Sequence, residues 1–116
     1  MTITERTNGG VCIVDIDGPI TLGPGGAELL TDKIRSLLQQ GQKQLLINLA
    51  GVPYMDSTGL GSMVHAYATA TRQGGSVKLL NSTKRLHDLL IITKLSTVFE
   101  SFDNEAAAVS SFRATV

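Results

Sequence analysis

One junction constrains this chain more than any other feature. The apolar run Gln44 to Asn48 leads through Tyr54, Met55, Asp56, Ser57 and Thr58 into Leu60, Met63, Val64, Tyr67, Ala68 and Thr71, which recur at helical spacing. A short apolar strand feeding directly into an amphipathic helix is the repeating unit of open α/β sheets. Such folds place their sites at the turn where the strand ends. Ser, Thr and Asp are also the preferred helix N-caps, so the turn has a structural use for its polar residues, with Ser57 as cap and the helix running from about Thr58 to Gln73. Gly59 and Gly61 keep the first turn free of side-chain bulk, which lets a partner approach the hydroxyls and backbone N–H groups.

The rest of the chain repeats the alternation. Thr2 to Thr7 and Val11 to Asp17 flank Asn8, Gly9 and Gly10, a hairpin signal that makes the first strand pair antiparallel. Gly18, Pro19, Gly23, Pro24, Gly25 and Gly26 punctuate a loop, expected to be the mobile element, before the stripe Ala27, Leu30, Ile34, Leu37 and Leu38, which stops at Gly41. Gly74 and Gly75 end the next helix ahead of a strand over Val77 to Leu80. Thr83 caps a helix from Lys84 to about Thr93, a short strand spans Val98 to Phe102, and Asn104 caps a last helix ending near Phe112. The expected architecture is a single α/β domain over residues 1–116. It has a mixed, largely parallel sheet of four to five strands, an N-terminal antiparallel hairpin, right-handed crossovers and about four helices.

Composition narrows the function. Ten basic and ten acidic residues cancel, and neither sign forms a block. No nucleic-acid backbone or anionic membrane is therefore an expected partner, and without Trp there is little to stack bases upon. No charged leader with an apolar core opens the sequence, and no apolar run approaches the roughly 18 residues that span a bilayer, so a cytoplasmic protein is expected. The single Cys12 lies inside an apolar strand and reads as a small buried hydrophobe.

Enzyme templates fail in turn. Met55 stands two residues before Ser57 where a nucleophile elbow needs glycine. His65 follows Ser57 by eight positions on the same helix, roughly 12 Å along its axis, too far to act as its base. His87 belongs to a different helix. Asp56, Ser57 and Thr58 match the aspartic protease triplet only superficially, because Thr58 intervenes before Gly59. One Cys and two separated His offer no zinc spacing, and no phosphate-binding loop of the Gly-x-x-x-x-Gly-Lys type is present, so no metal or cofactor is expected.

The string Val52, Pro53, Tyr54, Met55, Asp56, Ser57, Thr58, Gly59, Leu60, Gly61 resembles the signature of the STAS domain family, specifically the bacterial anti-sigma factor antagonists of sporulation and stress control. The similarity covers nearly the whole chain, taking in the strand Leu45 to Leu49, the Gly74–Gly75 turn, and Lys84, Arg85 and Leu86 leading into Leu89 and Leu90. It implies that Ser57 is phosphorylated by an anti-sigma factor that is also a serine kinase, with Thr58 as the alternative acceptor. It further implies a partner-switching cycle: the unmodified protein binds the kinase and frees a sigma factor, the phosphorylated one is released, and a metal-dependent serine phosphatase resets it. Asp56 would orient the serine hydroxyl or help hold the kinase's magnesium nucleotide, or would act only as a cap.

Asp56, Ser57, Thr58, Gly59, Gly61, Ser62 and Thr21 form the expected partner surface of a monomer or weak dimer. In the family an acidic residue commonly follows the glycine that ends the second strand, whereas here Gly18, Pro19 and Ile20 are followed by Thr21. A related branch binds transporter ATPases without phosphorylation and supplies the alternative function. A small hydrolase is the third.

Overall fold

The computed structural model describes residues 1–113. Its elements are β1 (Thr2–Asn8), β2 (Val11–Asp17), α1 (Ala27–Gln39), β3 (Gln44–Gly51), α2 (Ser57–Arg72), β4 (Ser76–Leu80), α3 (Lys84–Ile92), β5 (Ser101–Phe102) and α4 (Glu105–Arg113). Five strands form one sheet in the order β1-β2-β3-β4-β5; β1 is antiparallel to β2, and every later pair is parallel. At the hairpin Asn8 pairs with Val11 across Gly9 and Gly10, whose φ values of 60° and 83° are the left-handed pair that a two-residue turn of matching twist demands.

The sheet divides the interior into two cores. On one face Val14, Ile16, Leu45, Ile47, Leu49 and Leu79 pack against Leu30, Ile34 and Leu37 of α1, Met63, Ala66 and Ala70 of α2, and Leu86 and Leu90 of α3. The other face carries a smaller core in which α4 lays Ala108, Val109 and Phe112 over Val11, Ile13, Leu46 and Leu80. Cys12 is buried on the larger side, and burial pushes its thiol pKa up, in keeping with an inert hydrophobe.

Three expectations are corrected. Ala68 and Thr71 face solvent, and Ala66 and Ala70 take the inner side of α2, because two alanines let that helix approach the sheet closely. The strand expected over Val98 to Phe102 is only Ser101–Phe102. A 3₁₀ turn at Leu95–Thr97 precedes it, and the buried Phe99 sets its ring edge-on to Tyr67, with centroids 5.4 Å apart, instead of continuing the strand. The glycine-rich loop expected to be mobile is fastened: Ile20 bridges to Met55, the Ile20 amide donates to the Tyr54 carbonyl at 3.1 Å, and the Ala27 amide donates to the Thr21 carbonyl at 2.7 Å. Thr83 and Asn104 cap α3 and α4 as expected, accepting from the amides of Leu86 and Ala107.

Candidate functional site

Strands β2 and β3 run parallel and end together, and both of their following loops meet at the N-terminus of α2. The cap of that helix is Asp56, a correction to the expectation of Ser57. The Asp56 carboxylate accepts from the Gly59 amide at 2.8 Å through Oδ1, and Ser57 is thereby the first helical residue. Aspartate wins because its extended backbone aims the carboxylate back over the turn, and its charge suits the positive end of the helix.

The second oxygen, Oδ2, accepts from the Leu22 amide at 2.9 Å. One carboxylate therefore closes the helix end and also holds the loop that follows β2. The two backbone donors, Gly59 first and Leu22 second, hold the Asp56 carboxyl below the usual carboxylate range. Asp56 does not orient the neighbouring hydroxyl: neither Ser57 nor Thr58 makes a side-chain hydrogen bond among the described residues. Both are exposed.

The two glycines of the first turn have separate duties. A Cβ on Gly59 would overlap the Ile20 carbonyl oxygen, and that same carbonyl accepts from the Asp56 amide at 3.2 Å, so Gly59 is a buried packing position. It is thus withdrawn from the expected contact surface, and its amide is already occupied by Asp56. Gly61 has nothing within 4 Å of a notional Cβ and lies open to solvent. Ser62 is half-buried; its hydroxyl donates to the Ala27 carbonyl at 3.3 Å and accepts from Thr31 Oγ1 at 3.2 Å, pinning α2 to α1. Thr21 is half-buried, with its backbone carbonyl turned inward to α1.

On one side of the turn Leu22, Thr31, Asp32, Arg35, Thr58 and Ser62 line an open groove of about 460 Å³ between α1 and α2. On the other, Tyr54, Met55, Arg85, Leu89 and Ile92 line a second of about 290 Å³, where the Arg85 guanidinium stands 5.6 Å from the Tyr54 ring centroid. Leu22, Tyr54 and Arg85 were missing from the expected site. A signal existed for each of two of them: Leu22 is an apolar residue stranded among loop glycines, and Arg85 lies in the first turn of a helix, where the dipole disfavours positive charge. His65 and His87 are exposed on their helices, and no group of three metal-ligating side chains occurs among the described residues. No helix among those residues is long and apolar enough to cross a membrane.

Comparison with known proteins bears on the family and the fold. The anti-sigma-B factor antagonist of Bacillus subtilis is 43% identical over 74 residues, 64% of this chain and 67% of that one. The solved structure of an anti-sigma factor antagonist from Mycobacterium paratuberculosis superimposes with a TM-score of 0.82 at 19% identity, covering 97% of this chain and 93% of the other. The phosphorylated form of the Bacillus cell fate determinant SpoIIAA matches with a TM-score of 0.70 at 18% identity, over 91% and 96% of the two chains. The sequence model of the STAS domain covers residues 2–108, and the chain belongs to that family.

Proposed function

We propose that this protein is an anti-sigma factor antagonist that works as a phosphorylation switch, with Ser57 as the acceptor. It binds an anti-sigma factor with serine kinase activity while Ser57 is unmodified, is released once Ser57 is phosphorylated, and is reset by a metal-dependent serine phosphatase. The observation that carries this reading is the exposed, unbonded hydroxyl of Ser57 at the first position of α2, held in place by a neighbour whose carboxylate is anchored by two backbone amides. The anti-sigma-B antagonist of Bacillus subtilis, with its 43% identity, supports the regulatory role. Exposure alone does not separate Ser57 from Thr58; the resemblance to the family signature supports Ser57.

The switch follows from electrostatics. Phosphorylation adds about −1.5 to −2 charges and three acceptor oxygens at the positive end of a helix. That position favours an anion by about 0.3–1 kcal/mol, so the fold itself tolerates the group. Release then arises across the interface. One partner carboxylate about 6 Å from the phosphate repels each unit of charge by roughly 3 kcal/mol at an effective dielectric of about 20. This is a loss of roughly a hundredfold in affinity. Asp56, whose backbone donors favour its ionised form in the unmodified protein, contributes to the negative field at the same helix end.

Co-purification with the anti-sigma factor kinase encoded in the same genome tests the mechanism. Ser57→Ala retains the partner and Ser57→Asp loses most of it. Equal recovery with the two variants would refute repulsion as the means of release.

A further inference from the structure

We propose that Leu22 is a second contact for the partner that reads Ser57 and that Asp56 is its positioning residue; this rests on the switch reading above. Leu22 is 74% exposed, in a chain whose other leucines are mostly buried. A lone exposed leucine is ordinary on a protein surface. What distinguishes this one is how firmly its backbone is placed. Its amide donates to Asp56 Oδ2, the preceding Thr21 carbonyl accepts from the Ala27 amide, and Ile20 is bridged to Met55. Exposed apolar side chains on frayed loops gain little from such ties; here three of them converge on one displayed side chain.

The occupant follows from continuity. Leu22 and Thr58 line the same groove, and Asp56 connects Leu22 to the residue directly preceding Ser57. Thr58, next to Ser57 in the chain, lines that groove together with Leu22, so a partner seated over the Ser57–Thr58 turn has Leu22 on the wall of the same groove. Covering an exposed leucine at that interface removes its apolar surface from water, which adds affinity in proportion to the area buried. Phosphate on Ser57 would also compete with Asp56 for the amides at the start of α2, so modification bears on the Leu22 tether as well as on charge.

Two measurements on the full chain test this. Hydrogen exchange on Asp56→Ala, which removes both accepting oxygens, should show the Leu22 amide exchanging about tenfold faster than in the unaltered protein while the amides of the β3 core keep their protection. Unchanged Leu22 protection would overturn the tether. Phosphorylation of Ser57 by the purified anti-sigma factor kinase of the same genome, with magnesium ATP, should show KM raised about tenfold by Leu22→Ala at unchanged kcat, with Leu22→Met restoring it. Asp56→Ala should raise KM as well, and the double variant should be no worse than the poorer single one. A KM unaltered by Leu22→Ala would end this inference and leave the switch standing. Failure of the kinase to phosphorylate the unaltered chain would end both.

Discussion

The edge of the sheet at Ser57 and the face under α4 use charge in opposite ways. Under α4 the charges are consumed. The Arg6 guanidinium donates to both oxygens of Asp15, at 2.7 and 3.3 Å, and to both of Glu105, at 2.9 and 2.6 Å, tying the first turn of α4 to the N-terminal hairpin. The Lys78 ammonium is only 5% exposed; it donates to Ser111 Oγ at 2.9 Å and lies 4.7 Å from the Phe112 ring centroid. At the Ser57 edge a single carboxylate binds only backbone, and the neighbouring hydroxyls are left open. One region spends its polar groups on holding an element down, and the other holds its backbone still so that side chains stay on display. Stability and partner recognition should therefore separate by region.

Substitutions under α4 and at the Ser57 edge probe that separation. Phe112→Ala empties the centre of the smaller core and should cost about 3–5 kcal/mol in denaturant unfolding. Below its lowered melting temperature it should still bind the kinase; loss of binding by folded Phe112→Ala would couple the regions and break the contrast. Gly59→Ala forces a methyl against the Ile20 carbonyl and should cost about 1–3 kcal/mol by the same measurement. Because that carbonyl belongs to the tethered loop, Gly59→Ala should also weaken partner binding, the mixed outcome expected of a position that joins scaffold to surface.

Glu105→Gln is expected to cost about 1 kcal/mol at neutral pH, since the ion pair is partly solvated. Hydrogen bonds from Arg6 and then Asn8 lower the folded Glu105 pKa from 4.5 to about 2. A depressed carboxyl pKa gives stability that is complete above about 4.5 and is lost as pH falls toward about 2. The acid limb of the unfolding curve should accordingly flatten in Glu105→Gln, as read by circular dichroism. Gly61→Ala is the smallest change and has the opposite sign. With open space around a Cβ, alanine should stabilise α2 by about 0.5–1 kcal/mol. If Gly61 is contact surface, the same substitution weakens the kinase complex, so a gain in melting temperature with a loss of affinity would sharpen the division.

The order of elements was legible because it is local. Strand periodicity, the Asn8–Gly9–Gly10 turn and the caps at Thr83 and Asn104 each act over a few residues. The choice of Asp56 over Ser57 as cap was not, since three adjacent residues are all good caps and backbone direction decides among them. Contacts between distant segments were hidden for a plainer reason. Arg6 meets Glu105 across 99 positions, and Asp56 meets Leu22 across 34. No periodicity encodes either pair. Ala66 and Ala70 carry little signal because apolar stripes stand out by large side chains, whereas closely packed helices bury small ones.

Phosphorylation of Ser57 is open to direct observation by mass spectrometry of the protein recovered from its native cell across growth and stress conditions. A phosphoryl group on Ser57 in a condition-dependent fraction of chains is the expected result. A phosphoryl group confined to Thr58, or none under any condition, would contradict it.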